Sequence, residues 1–182
     1  MKKVLLILAD GFEEIEALGT ADILRRLNVN VVLAGLDSAE KVIGAHGMRI
    51  IPDALLADVA DDEFDAVILP GGMPGSANLD KSAVVTAVLA KAEKENKIIS
   101  AICAAPFVLA KRGLLKGKTF TMYPGFDSEL GGLTYTANPA EIDGNTVTGK
   151  GPGAFTEFAR ALAKLLGLEN ECKELYKGMF IN

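Results

Sequence analysis

The stretch Ile98-Ile99-Ser100-Ala101-Ile102-Cys103-Ala104-Ala105-Pro106 decides the reading of this chain. Its first five residues are apolar apart from one serine, the pattern of a strand buried on both faces. Pro106 has a fixed φ and no N–H, so it suits the first turn of a helix. Phe107 to Arg112 can continue that helix, and Gly113 stands where a C-terminal cap glycine belongs. Cys103 therefore falls on a sharp strand-to-helix turn among small neighbours, Ala101, Ala104 and Ala105. A helix N-terminus carries partial positive charge and unpaired N–H groups. Both favour thiolate over thiol, and the thiolate is the reactive form. The geometry expected is a nucleophile elbow with cysteine in the serine's place. A buried structural cysteine would give the same letters, and spacing alone weighs the two readings about equally.

Working outward, apolar runs alternate with helical ones. Residues 3–9, 30–35, 66–69 and 118–122 read as further strands. Residues 13–27 read as a helix with an apolar stripe of Ile15, Leu18, Ile23, Leu24 and Leu27. Further helices are expected over 82–95, 106–112, 154–166 and 169–176, with a short irregular one within 55–64. Val42-Ile43 and 48–51 suggest a hairpin around Gly44-Ala45-His46-Gly47, and Asp143-Gly144 suggests a second. Strands alternating with helices at this spacing predict an α/β fold, mainly parallel, with helices on both faces. The commonest small solution is flavodoxin-like, with sites outside the carboxyl ends of the strands. A chain of 182 residues is expected to form one domain, 1–182.

Composition excludes several classes. Acidic residues exceed basic ones by 24 to 19, and the longest like-charge run is Asp61-Asp62-Glu63. A nucleic-acid partner is not expected. Cys103 and Cys172 lie far apart, with no CxxC and no His/Cys cluster, so neither structural zinc nor a redox dithiol is expected. No cofactor or metal is anticipated. The apolar run 4–9 is too short for a signal peptide and leads into Asp10-Gly11-Phe12-Glu13-Glu14. The run 98–110 is too short to span a bilayer. A cytoplasmic protein without a membrane partner is expected, its thiols free.

Three loops fall at the carboxyl ends of expected strands: 10–16, 70–75 and 103–106. The glycine loop Pro70-Gly71-Gly72-Met73-Pro74-Gly75 has neither GxGxxG nor GK[ST], which argues against a nucleotide. Its backbone could approach a ligand closely, the N–H groups of Gly72 and Ala104 forming an anion hole; a plain tight turn reads the same. Glu13, Glu14 and Glu16 either compensate a helix dipole or bring a carboxyl to the thiol. A carboxyl beside a thiol shares one proton with it, and the acid can serve as proton carrier. His46, the only histidine, lies in the expected hairpin, so a Cys–His–acid triad is not expected.

Together these segments resemble the ThiJ/PfpI superfamily, and within it the Parkinson-disease-associated deglycase subgroup. Leu8-Ala9-Asp10-Gly11-Phe12-Glu13-Glu14-Ile15-Glu16 is similar to the family's first loop, Leu69-Pro70-Gly71-Gly72 to its glycine loop, Ala101-Ile102-Cys103-Ala104-Ala105-Pro106 to its elbow, and Gly151-Pro152-Gly153 to the turn before a late helix. The resemblance implies a flavodoxin-like homodimer with Cys103 as nucleophile and redox centre. It implies Glu16 as the protonated partner and Gly72 and Ala104 as the anion hole, with Gly71, Tyr123 and Pro152 around the pocket. Arg26 and His46 match positions that hold an anion near the dimer interface in some relatives. The activity implied is a glutathione-independent glyoxalase, methylglyoxal to lactate, or a deglycase acting on early protein adducts. Redox sensing through Cys103, or a stress chaperone, is the alternative. Tyr123 stands where strongly active glyoxalases of the family place a histidine, which implies slower turnover. Ala104 replaces the histidine of the protease-like branch, and the chain lacks the His–Glu pair of glutamine amidotransferases.

Overall fold

The structure, a computed structural model, describes residues 1–181. Strand β1 (Lys3–Leu8) is buried from Val4 onward and leads through a loop into a π-helical turn (Ile15–Gly19) and helix α1 (Thr20–Arg26). Strand β2 (Asn30–Gly35) precedes a hairpin of β3 (Val42–Ile43) and β4 (Arg49–Ile50), then β5 (Ala54–Leu55) and α2 (Leu56–Val59). Next come β6 (Ala66–Leu69), α3 (Gly75–Lys81), α4 (Ala83–Lys94), β7 (Ile98–Ile102) and α5 (Pro106–Lys111). The chain closes with β8 (Ala140–Asp143), β9 (Thr146–Gly149), α6 (Phe155–Leu165) and α7 (Glu169–Met179). Among the described residues no helix is long and apolar enough to cross a membrane.

Seven strands form one sheet in the order β5-β2-β1-β6-β7-β9-β8. Every neighbouring pair is parallel except β8–β9. Side chains alternate across each strand, so β1 feeds two cores. Val4, Leu6 and Leu8 join the layer formed with α1, α6 and α7; Leu5 and Ile7 join the layer formed with α4 and α5. This is the flavodoxin-like arrangement that the alternation of elements predicts. With β2 on one side of β1 and β6 on the other, the order reverses at β1. The loops after β1, β6 and β7 gather at the carboxyl edge beside that switch point. Glu13 N–H donates to Gly71 O at 2.9 Å and Gly75 N–H to Gly11 O at 3.2 Å, lacing two of these loops together.

Three expectations are corrected. Residues 118–122 do not add a strand to the sheet; one parallel bridge, Thr121 to Thr136, is all that forms. Side chains take the place of a backbone ladder there, with Thr119 N–H on Asp143 Oδ2 and Thr121 N–H on Thr148 Oγ1. Gly75, read as the end of the glycine loop, instead opens helix α3, which runs through residues 76–81 that the sequence reading left without an element. Gly75 opens it because a Cβ there would stand 2.6 Å from Phe12 N. Ile15, assigned to the buried stripe of the first helix, is 52% exposed, whereas Glu16 is fully buried.

Candidate active site

The elbow is built as its sequence requires. Cys103 has φ 64°, a left-handed conformation that strains a side chain with a Cβ. Two backbone bonds fix it: Cys103 N–H donates to Gly149 O at 2.8 Å, and its carbonyl accepts from Tyr123 N–H at 2.9 Å. Pro106 then opens α5 at the position where a missing N–H is harmless. The residue is buried, with 9% of its surface exposed. The N–H groups of Ala104 and Gly72 both face its sulfur.

Glu16 reaches the same place through the π turn. A π-helix accommodates more residues per turn than an α-helix, so it rotates side chains away from the faces that α periodicity assigns. Here it turns Glu16 inward and Ile15 outward. Glu13 Oε2 accepts the Glu16 N–H at 2.8 Å and so caps the turn. Glu16 Oε2 accepts the N–H of Gly71 at 2.8 Å, while Oε1 is buried without a hydrogen-bond partner. Gly71 makes the approach possible: a Cβ there would lie 2.5 Å from Cys103 Cβ and 2.6 Å from Glu16 Oε2. Gly72 has φ 87°, and a Cβ on it would lie 2.4 Å from Glu13 N.

Burial governs the electrostatics. It pushes the Glu16 carboxyl up to about 7; the adjacent thiol and the Gly71 N–H act against this, and the charge of Glu13 adds to it. Burial likewise pushes the Cys103 thiol up, the charge of Glu16 pushes it further, and the Ala104 and Gly72 N–H groups pull it back. Burial and the neighbouring acid thus act against the thiolate that the N-terminus of the six-residue helix α5 favours. The two groups titrate as a pair, because two negative charges side by side in a buried site are strongly disfavoured. A pair holding one proton offers either a carboxylate with a thiol or a carboxylic acid with a thiolate.

The other residues singled out in the sequence fall into two groups. Tyr123 is half exposed, with its ring edge 3.3 Å from where a Cβ on Gly151 would stand. It shares with Pro152 a groove of about 360 Å³ whose walls include Pro124, Pro139 and Lys150. Arg26 and His46 are each tied to acids outside the elbow. Arg26 Nε bonds Asp22 at 2.8 Å on the surface of α1, and His46 Nδ1 lies 2.8 Å from Glu14 Oε2. The hairpin nevertheless folds onto the β1 loop, through Gly11 N–H to Ile43 O and Ala45 N–H to Phe12 O. Glu13 and Glu14, read from sequence only as members of an acidic cluster, are individually placed anchors. A signal was present: no lysine or arginine follows at helical spacing until Arg25, so nothing on the helix surface would pair with them.

A cysteine at a left-handed elbow, facing a buried carboxyl at the carboxyl edge of a flavodoxin-like sheet, defines a cysteine-elbow α/β protein. The chain belongs to the DJ-1/PfpI family, whose model matches residues 2–165. It is 41% identical over 182 residues to protein dj-1beta of Drosophila melanogaster, covering 99% of this chain and 97% of that one. It is 35% identical over 175 residues to the glutathione-independent glyoxalase DJR-1.2 of Caenorhabditis elegans, covering 96% and 93%. A crystal structure of a C103A mutant of a DJ-1 superfamily protein from Salmonella typhimurium superposes with a TM-score of 0.95, at 37% identity over the whole of both chains.

Proposed function

We propose that this chain is a cysteine-dependent, glutathione-independent glyoxalase that acts on small α-oxoaldehydes, methylglyoxal above all, free or released from early protein adducts. The observation that carries the proposal is the pairing of Cys103 with a buried carboxyl whose Oε1 has no partner and whose proton affinity lies near neutrality. A proton carrier works best when its pKa lies near the working pH. In this reading Cys103 Sγ attacks the aldehyde carbon and forms a hemithioacetal. The Gly72 and Ala104 N–H groups receive the oxygen that develops charge. Glu16 removes the proton from the former aldehyde carbon and returns it to the neighbouring carbon as the ketone becomes an alcohol. The resulting thioester is hydrolysed by water, releasing the 2-hydroxy acid and the thiol. Oxidation at one carbon and reduction at the next cancel, so no cofactor enters. Tyr123 serves as a hydrogen-bonding wall.

Cys103→Ala and Glu16→Ala are each expected to abolish methylglyoxal consumption, followed by loss of the dicarbonyl and appearance of lactate. Full activity in Cys103→Ala would end the proposal. The redox alternative draws on exposure: Cys103 is 9% accessible and Cys172 1%. On that reading peroxide oxidises Cys103 to the sulfinate and leaves Cys172 reduced, with little turnover. The working form we infer is a cytoplasmic homodimer of a one-domain chain; exposed Ile15, Met48 and Ile51 around the hairpin support a covered surface there.

A further inference from the structure

On the glyoxalase reading above, which this inference rests on, we propose that Arg112 is a positioning residue for the anion hole. Its guanidinium joins the far ends of α3 and α5 and so sets the Gly72 and Ala104 N–H groups against the Cys103 sulfur. Both N–H groups belong to residues mounted on these helices. Ser76 N–H, in the first turn of α3, donates to Gly72 O at 2.9 Å. Phe107 N–H, in the first turn of α5, donates to Ala104 O at 3.1 Å. The helices have seven and six residues, so a tilt or slide of either carries its anion-hole residue with it.

Arg112 closes the opposite end of both helices. It is the residue that follows α5, and all five of its guanidinium N–H donors are used. Nη1 donates to Asp80 Oδ1 and to Val108 O, each at 2.8 Å. Nη2 donates to Asp80 O and to Thr86 Oγ1, each at 2.8 Å, and Nε to Thr86 Oγ1 at 3.2 Å. Asp80 stands in the last turn of α3, where carbonyls have no partner within the helix, so Nη2 caps that helix. Thr86 stands in the first turn of α4 and donates its own hydroxyl to Ser82 O at 3.0 Å.

One side chain thereby fixes three helices. The side chains of Arg112 and Asp80 are 14% and 20% exposed, which shields the pair from the screening that weakens surface ion pairs. The planar fork spans two helices at once; a lysine, a point charge, cannot reproduce it. Lys111 Nζ also reaches Asp80 Oδ2, at 3.1 Å, so Asp80 keeps a cation when Arg112 is replaced, and the fold is expected to survive. Sequence spacing hides this clamp because Asp80 and Arg112 are 32 residues apart.

The test measures methylglyoxal turnover and the pH profile of Cys103 alkylation by iodoacetamide, followed by mass on its peptide. It compares wild type, Arg112→Met and Arg112→Lys, with urea midpoints alongside. Arg112→Met is expected to lower kcat by at least roughly tenfold with KM little changed, because the displaced donors fail the developing oxyanion. Its alkylation profile should move to higher pH, because the same N–H groups favour the thiolate. Arg112→Lys should fall between the two in both readouts. A lower urea midpoint with kcat and the alkylation profile unchanged would show a merely structural arginine and overturn the proposal. Should wild type leave methylglyoxal untouched, the glyoxalase reading fails and the alkylation profile alone decides: a shift in Arg112→Met sustains the positioning role, and an unchanged profile ends it. Should Arg112→Met fail to fold, Asp80→Asn, which keeps the shape and loses the charge, is read in the same way.

Discussion

Gly71 shows how tightly the elbow is specified at the scale of single residues. It is flanked by both members of the pair, and a methyl group there would overlap Cys103 Cβ at 2.5 Å and Glu16 Oε2 at 2.6 Å. Gly71→Ala is expected to force the two apart, destabilising the fold by about 1–3 kcal/mol. A displacement on the order of 1 Å costs catalysis roughly 100-fold, so methylglyoxal consumption should fall by about that much. Wild-type turnover in Gly71→Ala would mean that the spacing of the pair is unimportant. The place of Cys103 on a strand-to-helix turn was legible in the sequence from the apolar run before it and Pro106 after it, whereas spacing alone did not separate a nucleophile from a structural cysteine. Which of three glutamates faces it was not legible from periodicity; only the family resemblance singled out Glu16.

The reason lies at the scale of elements. An α-helical wheel advances by a fixed angle per residue, and the π turn (Ile15–Gly19) breaks that count just where Glu16 must turn inward. The same wheel placed Ile15 in the core, and the structure exposes it. The buried strands β1, β2, β6 and β7 were legible because continuous apolar runs have one use in a parallel sheet. Residues 118–122 imitated such a run, but the Thr121 N–H goes to the side chain of Thr148, its Oγ1 at 2.9 Å, instead of to a backbone carbonyl of β9. Thr148→Val should strand that buried N–H and lower stability by roughly 1–3 kcal/mol in urea unfolding, with Thr148→Ser restoring it. An unchanged midpoint for Thr148→Val would show that the side-chain bond is dispensable. Helix α3 escaped notice because the glycine that lets it begin against Phe12 is also a strong turn signal.

At the scale of the whole molecule, the site draws on folding free energy. A carboxyl raised from its ordinary 4.5 to about 7 binds its proton more tightly folded than unfolded. Its contribution to stability is complete below about pH 4.5 and is lost as pH rises through about 7, a change on the order of 3 kcal/mol. Glu16→Gln has no charge to bury, so it should melt higher than wild type at pH 8 by roughly 5–10 °C. That advantage should shrink toward pH 4.5; a constant difference across this range would place the carboxyl's ionisation elsewhere. In the proposed mechanism Cys103 and Glu16 act as one proton-sharing pair, and this is read out by the pH profile of methylglyoxal consumption and of Cys103 alkylation, in wild type and in Glu16→Gln. Wild-type turnover should rise as the pair loses its first proton near pH 7. In Glu16→Gln turnover should be lower by at least about 100-fold. The thiol of that variant should be alkylated at lower pH, because the neighbouring negative charge is gone. Turnover that survives in Glu16→Gln, or a thiol that titrates unchanged without Glu16, would contradict that pairing.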